Sequence, residues 1–254
     1  MFPLLQIGPF ALPVDGLFLI AGAWLGLEVA EREAPRRGLR PDYVYGLAFT
    51  ALVAGFLGAR LWYVGRYLDS YLADPVAMAS LNANTLDAGG GLLIGLAAAV
   101  AYGRWRRLLL RPTLDAFAPG LAAFAVAIGL AHLASGDAFG APADLPWAIE
   151  LRDARRHPSQ VYEIVAALGV FAVVWRLRRD WPFPGFLFTL WLALAAASRL
   201  FLEAFRGDSV IVADTVRQAQ LAALLLLLVA LWLMGRWARS ETREQQTGDS
   251  HSPQ

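Results

Sequence analysis

The chain contains no cysteine and no lysine, and only three of its 254 residues are histidines. The absence of cysteine excludes internal disulfides, thiolate metal sites and a cysteine nucleophile within the chain. Three histidines, of which His251 lies in a polar tail, are too few for a histidine-based metal centre. We therefore predict no metal and no cofactor. The net charge of +1 argues against nucleic acid as a partner.

What the chain does contain is apolar sequence, with 57% hydrophobic residues and a mean hydropathy of +0.48. The apolar residues fall in windows of about 20, the length that crosses a bilayer. This pattern predicts an all-α integral membrane protein. Seven transmembrane helices are predicted, at about 10–30, 44–65, 89–103, 115–135, 159–177, 183–205 and 214–235. They make a transmembrane domain of residues 1–239, followed by a disordered cytoplasmic tail at 240–254.

Arginine is concentrated in the loops that would share one side of the membrane. Fourteen of the 22 basic residues lie in the first, third and fifth loops and in the C-terminal tail. The positive-inside rule makes that side cytoplasmic, so seven spans place the N-terminus outside and the C-terminus in the cytoplasm. Most of the unusual polar residues then lie in the outer half of the membrane. Glu28 and Asp115 lie at cytoplasmic helix ends, where a solvated charge is expected.

The most unusual polar feature is a charged stripe in the sixth predicted span, made of Arg199, Glu203 and Arg206. Spacings of four and three residues place all three on one helix face. Charges at such a depth cost at least ~2.5 kcal/mol each unless they are paired. Two guanidinium groups against one carboxylate leave a positive surplus, and a planar guanidinium suits phosphate. The stripe predicts a site for an anionic phospholipid headgroup, with a purely structural ion-pair network as the alternative.

Other candidate residues lie at the predicted outer ends of helices. Arg60 is either a phosphate ligand or a side chain that snorkels to the interface. His132 and Asp137 close the fourth span. Residues 157–163, HPSQVYE, open the fifth span with four functional side chains in one turn, although proline at a first turn is also an ordinary helix start. The glycine-rich third span is most simply explained by close helix packing.

Six segments, in chain order, resemble signatures of the bacterial prolipoprotein diacylglyceryl transferases. HPSQVYE is similar to that family's H-P-[ST]-Q-x-Y-E, and SRLFLEAFR at 198–206 is similar to its R-[FI]-x-x-E-x-[FL]-R. The other four are IGP at 7–9, GARL at 58–61, APGLA at 118–122 and DLPWA at 144–148. The resemblance covers essentially the whole chain.

The resemblance implies a multi-pass enzyme of the bacterial cytoplasmic (inner) membrane. Such enzymes transfer the diacylglyceryl group of phosphatidylglycerol to the lipobox cysteine thiol of a prolipoprotein, whose signal peptide they bind, and release glycerol phosphate. The cysteine comes from the substrate, so a chain without cysteine fits this chemistry. Carried over by motif, the candidate catalytic residues are His132, Asp137, Arg199 and Glu203. The candidate substrate-binding residues are Arg60, Gly140, His157, Gln160, Tyr162, Glu163 and Arg206.

Several positions depart from the family's pattern. Residues 87–95, DAGGGLLIG, contain no histidine where the family has H-G-G-L-I-G, whose histidine is taken as catalytic, and Asp15 stands in place of a tyrosine. Over residues 128–140, the family's arginine, two asparagines and glutamate are replaced by Gly129, His132, Ser135 and Asp137.

These departures leave three functions open. In the first, the enzyme is active with His132 or Asp137 as its base, and Arg60, Arg199 and Arg206 hold the phosphate. In the second, the chain is a catalytically inactive or altered-substrate relative that binds an anionic phospholipid or a signal peptide. The third is an unrelated small transporter, which intramembrane charges also permit, although no internal repeat supports it.

Overall fold

The structure is a computed structural model that describes residues 4–7, 10–74, 76–77, 85–212 and 216–249. Gly8 and Pro9, which belong to the first resembling segment, therefore lie outside the described residues. The chain forms two compact units. The smaller unit is Ala34–Thr113, and the larger unit combines Met1–Glu33 with Leu114–Gln254.

Helices make up most of the described chain. They are α1 Val14–Glu33, α2 Pro41–Arg66, α3 Leu68–Ala73, α4 Ala88–Trp105, α5 Leu110–Ser135, α6 Ser159–Leu177, α7 Phe186–Leu202 and α8 Gln218–Asp249, with 3₁₀ turns at Ala34–Arg37 and Glu203–Phe205. The strands are β1 Leu4–Ile7, β2 Phe10–Pro13, β3 Ile149–Leu151, β4 Ala154–Arg156, β5 Ile211–Val212 and β6 Val216–Arg217.

Each of the seven predicted spans overlaps one long helix of the described residues. Five helical segments of the described chain are long and apolar enough to cross a membrane: Pro41–Arg66, Leu110–Ser135, Ser159–Leu177, Phe186–Phe205 and Gln218–Thr242. α1 ends in a charged turn, and the 18-residue α4 is rich in glycine. The helical membrane architecture is therefore supported at the level of five helices.

Large apolar side chains point away from the protein on most of the long helices. Trp24, Leu61, Leu92, Leu225 and Trp232 are all more than half exposed. An apolar surface of this extent would be unfavourable in water, but it matches the hydrocarbon of a bilayer. The helices therefore carry their apolar residues on the face that lipid would cover.

The all-α prediction missed three short antiparallel hairpins, β1–β2, β3–β4 and β5–β6. Strands of two to four residues are too short to show an alternating pattern in the sequence. The β3–β4 turn has Arg152 and Asp153 at φ 53° and 58°, the left-handed conformation of a tight hairpin turn. This hairpin lies between α5 and α6.

The predicted disordered tail also differs from the structure. α8 continues to Asp249, so most of residues 240–254 have a helical backbone, and 250–254 lie outside the described residues. The segment is rich in glutamate, glutamine and arginine, which favour a helix even where no apolar face packs.

In the smaller unit, α2 and α4 pack closely through small residues. A Cβ added to Gly91 would lie 2.9 Å from the Cβ of Ala59, and one added to Gly95 would lie 2.9 Å from the Ala51 carbonyl oxygen. Only glycine allows this approach of two backbones. The prediction that the glycine-rich span packs closely is confirmed.

In the larger unit, α5, α6 and α7 share a core of Ala118, Ala122, Val170, Val174 and Leu187. α1 crosses α5 so closely that a Cβ on Gly120 would lie 2.1 Å from the Gly26 carbonyl oxygen. The packing of small residues fixes these helices against one another.

Asp115 was predicted to be a solvated helix-end charge, and this prediction is wrong. Its side chain is fully buried, and its two carboxylate oxygens accept hydrogen bonds from the backbone N–H groups of Gly185 at 2.7 Å and Phe188 at 2.9 Å. These donors lie at the N-terminus of α7, where unpaired N–H groups attract an anion. A buried carboxylate on α5 thus fixes the start of α7, the helix that carries Arg199.

Candidate functional site

The charged stripe at the end of α7 forms a connected cluster around Glu203. Glu203 is 1% exposed, and its Oε2 lies 3.1 Å from Arg199 Nη2 and 3.9 Å from Arg206 Nε. The Ser209 hydroxyl donates to Glu203 Oε1 at 2.6 Å, and the Arg217 guanidinium donates to the Glu203 backbone carbonyl. The predicted neighbours do meet, although α7 ends at Leu202 and Arg206 follows a 3₁₀ turn with extended backbone.

Arg206 has a second carboxylate partner that spacing on a helix did not predict. Its Nε and Nη2 donate to the two oxygens of Asp208 at 2.9 and 2.7 Å. This fork-on-carboxylate geometry engages two of the three guanidinium nitrogens of Arg206. Arg199, by contrast, keeps 40% of its side chain exposed. Arg199 is thus the guanidinium of this cluster that is most accessible to an anionic ligand.

Two cavities meet at this cluster, and both are lined by Arg199 and Arg206. The first, of about 150 Å³, lies among α5, α6 and α7, and half of the residues in its wall are alanine, isoleucine, valine or leucine. Its polar lining residues include Tyr162, Glu163 and Ser198. The second, of about 340 Å³, has Glu203, Asp208, Ser209 and Gln218 in its wall. The site can therefore hold an amphiphilic molecule with a negative charge at Arg199.

His132, in the last turn of α5, contacts Glu163 in the first turns of α6. His132 Nδ1 lies 2.8 Å from Glu163 Oε2, and both side chains are partly exposed. The sequence predicted both as candidate site residues, His132 as catalytic and Glu163 as substrate-binding. It did not predict that they pair, since they are far apart in the chain. Glu163 also lines the first cavity, so the pair stands beside the space where a ligand would bind.

Asp137, the other predicted base, has different surroundings. Its side chain is 66% exposed, and its Oδ1 lies 3.6 Å from Arg152 Nη2. The Asp137 backbone carbonyl, not its carboxylate, accepts the Gln160 side-chain amide at 2.9 Å. Its carboxylate therefore interacts with solvent and with the β3–β4 turn.

The remaining signature residues of 157–163 hold the segment after α5 in place. Gln160 is fully buried, and the Ser159 hydroxyl donates to the Ala138 carbonyl at 2.5 Å. A Cβ on Gly140 would lie 2.1 Å from the His157 carbonyl oxygen, and Gly140 pairs with Arg206 in a β-bridge. This close packing positions Arg206.

His157 and Tyr162 form an aromatic contact beside the first cavity. Both rings pack edge-on against Phe205. The Trp147 indole N–H donates to the Tyr162 hydroxyl at 2.8 Å, and His157 Nδ1 lies 3.5 Å from the same hydroxyl. Tyr162 reaches the cavity wall, whereas His157 supports Tyr162.

Arg60 belongs to the smaller unit, where the protein's own backbone engages its guanidinium. It is 8% exposed and donates to the carbonyls of Thr85 at 3.1 Å and Ala77 at 2.7 Å. Its guanidinium carbon also lies 5.3 Å from the centre of the Tyr71 ring. These contacts favour a structural role over both predicted roles, because a snorkelling side chain would be solvated and a phosphate ligand would keep free donors.

Asp87 opens the segment where the family's pattern has a histidine. It precedes α4 and accepts the Gly90 backbone N–H at 2.8 Å, while Arg66 Nη1 lies 2.9 Å from its other oxygen. The Gly90 hydrogen bond and then the Arg66 hydrogen bond hold the pKa of Asp87 below its ordinary value of 3.8. Asp87 is thus a helix cap. Among the residues that the structure describes, no group of three or more histidine, aspartate or glutamate side chains is placed to hold a metal ion.

Comparison with known proteins gives a consistent family. A family model described as prolipoprotein diacylglyceryl transferase matches residues 3–236. A phosphatidylglycerol–prolipoprotein diacylglyceryl transferase of Clostridioides difficile is 28% identical and aligns with 83% of this chain and 84% of its own length. Proteins of the same name from Synechococcus elongatus and Corynebacterium efficiens are 26% and 27% identical, over 98% and 89% of this chain and 93% and 77% of their own lengths. The resemblance carried by the motifs is confirmed, and the chain belongs to the prolipoprotein diacylglyceryl transferase family.

Proposed function

We propose that this protein transfers the diacylglyceryl group of phosphatidylglycerol to the lipobox cysteine of a prolipoprotein. The cysteine thiol loses its proton, and its sulfur forms a thioether bond with the glyceryl carbon that carried the phosphate. The carbon–oxygen bond to the phosphate breaks, and glycerol phosphate leaves. Family membership and the names of the relatives support this reaction.

The observation that carries the proposal is the position of Arg199 where the two cavities meet. A phospholipid has an apolar acyl part and a charged headgroup, joined at the phosphate. The apolar cavity would receive acyl chain, the polar cavity would receive the glycerol headgroup, and the phosphate would lie at Arg199. Preorganised guanidinium groups would stabilise the leaving phosphate as its charge grows.

The remaining site residues differ in the role that we assign to them around this phosphate. Glu203 and Asp208 orient Arg199 and Arg206, and Tyr162 and Glu163 line the lipid cavity. Gly140, His157 and Gln160 hold the segment that follows α5. The prolipoprotein would bind at this surface. Arg60 is assigned to the support of its own unit.

The proposed setting is the bacterial inner membrane. Five helices are long and apolar enough to cross the membrane, and α1 and α4 would bring the number of spans to seven. Seven spans would place the N-terminus outside and residues 240–254 in the cytoplasm. The arginine distribution supports this orientation. The cluster at the end of α7 would then face the outer leaflet, where secreted prolipoproteins emerge.

One observation favours a second function, the binding of lipid or signal peptide without transfer. Gly129 stands where the family's pattern has arginine, and a Cβ there would lie 2.8 Å from Ile164 Cγ1. At this position α5 packs too closely on α6 to leave space for a side chain, whereas the family pattern has an arginine there. The loss of that cation would weaken phosphate stabilisation and leave Arg199 with a larger share of it.

Complementation of a transferase-depleted bacterial strain tests the proposal. We expect the unmutated protein to restore prolipoprotein maturation, seen as a mobility shift on immunoblots, and His132→Ala to fail. Arg104→Ala removes an exposed arginine of α4 and should complement as well as the unmutated protein. Failure of the unmutated protein, at normal level in the membrane, would leave lipid binding without transfer as the better account.

A further inference from the structure

We infer that Glu163 positions His132 as the group that accepts the proton of the substrate thiol. The inference rests on the proposed function. It identifies His132 as the base, whereas the sequence motifs allowed either His132 or Asp137. The contact that carries it is the 2.8 Å approach of His132 Nδ1 to Glu163 Oε2.

The chemistry of this contact fixes the tautomer of the ring. An ionised carboxylate can only accept a hydrogen bond, so Nδ1 carries the hydrogen and donates it. The other ring nitrogen, Nε2, then has a free lone pair. A neutral imidazole in this tautomer is a proton acceptor whose orientation is set by its partner, an arrangement known from histidine bases in general.

The position of the pair matches what the reaction needs. Glu163 lines the 150 Å³ cavity together with Arg199 and Arg206, so the histidine stands beside the proposed phosphate site. His132 is 31% exposed and Glu163 is 23% exposed, which leaves the ring accessible to a second substrate. A thiol with an ordinary pKa of about 8.5 is mostly protonated at neutral pH and needs such an acceptor.

The other titratable groups near the cavity are engaged elsewhere. The Asp137 carboxylate faces Arg152 and solvent, and the His157 ring packs against Phe205 beside the Tyr162 hydroxyl. Glu203 is enclosed by Arg199, Arg206 and Ser209. His132, by contrast, is held next to the cavity by the carboxylate of Glu163.

The step balances without any further reactant. The thiol proton passes to His132 Nε2, the sulfur forms the thioether bond, and the electron pair of the broken carbon–oxygen bond leaves with the glycerol phosphate. The histidine then returns its proton to solvent or to the departing phosphate monoester. Glu163 stays ionised throughout and stabilises the imidazolium, so it is a positioning residue and not a catalytic one.

Nitrogen-15 NMR of the full-length protein in lipid nanodiscs tests the tautomer directly. The chain has three histidines, so the His132 signals are assigned as those lost in His132→Asn. We expect a protonated Nδ1 and an unprotonated Nε2 in the unmutated protein. In Glu163→Gln, whose amide can either donate or accept, this single tautomer should give way to a mixture. A ring without a dominant Nδ1–H tautomer, or one unchanged by Glu163→Gln, would overturn the inference whatever the enzyme's activity.

Transfer rates supply the second arm, measured with a lipobox peptide and phosphatidylglycerol nanodiscs. His132→Asn keeps a donor to Glu163 and so preserves the link between α5 and α6, but it should lower transfer by about 100-fold or more. Glu163→Gln should lower transfer on the order of tenfold or more at saturating phosphatidylglycerol. His251→Asn and Glu150→Gln, one beyond the matched residues and one exposed on β3, are the matched controls and should transfer normally.

The outcomes separate this inference from the proposed function. No transfer by the unmutated protein contradicts the function, and the NMR arm still reports on the pair. Normal transfer by His132→Asn, with Asp137→Asn strongly impaired, overturns the inference and leaves the function in place. A purely structural role for the pair predicts that His132→Asn is active, because asparagine conserves the hydrogen bond.

Discussion

Arg199 and Arg206 lie on the same cluster but differ in the charge that each leaves for a ligand. Arg206 is held by both oxygens of Asp208, and its side chain is 14% exposed. Arg199 shares Glu203 and keeps a larger exposed fraction. With Asp208 and Arg217 included, three arginines face two carboxylates, so the cluster keeps the surplus of one positive charge that the stripe indicated. This surplus is centred on Arg199.

The sequence predicted the contact of Arg199 with Glu203 because four-residue spacing inside a helix fixes that distance. It did not predict Asp208 or Ser209 as partners, since the chain leaves the helix after Leu202 and spacing no longer defines a face. For Arg60 the sequence allowed two roles, as a phosphate ligand or as a side chain that snorkels to the interface. The carbonyl groups that accept its hydrogen bonds indicate a third, structural role, which the sequence could not reveal.

Asp87 gives a prediction about pH at the residue scale. Its pKa is lowered in the folded protein, so its contribution to stability is fully present above 3.8 and is lost as pH falls through the lower, folded-state pKa. Thermal unfolding followed between pH 5 and pH 2 should show this loss in the unmutated protein. Asp87→Asn should remove that part of the pH dependence, and Asp69→Asn, an exposed aspartate on α3, should keep it.

Helix α7 depends on a neighbouring helix for its first turn. Asp115 supplies the acceptors for two backbone N–H groups there. We expect Asp115→Ala to lower the free energy of unfolding by about 3 kcal/mol, because buried donors lose a charged acceptor. Asp180→Ala, which removes an exposed aspartate shortly before α7, should change it by less than about 0.5 kcal/mol. Equal effects of the two variants in detergent unfolding would contradict the capping role.

The segment after α5 depends on the absence of a side chain at Gly140. A Cβ there would collide with the His157 backbone, which cannot move without shifting the start of α6. We expect Gly140→Ala to destabilise the protein by about 2 kcal/mol or more and to reduce transfer by displacing Arg206. Gly169 in α6 has open space at its Cβ position. Gly169→Ala should therefore leave transfer intact and raise stability by up to about 1 kcal/mol.

At the scale of the whole molecule, the apolar windows overlap the seven long helices of the described residues, and five helical segments among them are long and apolar enough to cross a bilayer. The hairpins were missed because strands of two to four residues are too short to show an alternating pattern. The pairing of His132 with Glu163 was missed for another reason, since it depends on how α5 packs on α6. Loop charge predicts an orientation that the packing of the chain does not test.

Orientation can be tested cleanly because the chain has no cysteine of its own. We expect Glu150→Cys, in the β3–β4 hairpin, to react with a membrane-impermeant maleimide in intact spheroplasts. Arg179→Cys, after α6, should react only once the membrane is permeabilised. Labelling of both sites from outside, or the reverse pattern, would contradict an N-terminus outside and a cytoplasmic C-terminus.

Transfer by the purified protein tests the central claim most directly. Protein in phosphatidylglycerol nanodiscs is mixed with a lipobox peptide, and mass spectrometry follows the diacylglyceryl thioether while glycerol phosphate is measured in parallel. We predict equal amounts of both products from the unmutated protein and a loss of about 100-fold or more in Arg199→Ala. Phosphatidylglycerol binding with neither product, for any lipobox peptide offered, would contradict the account.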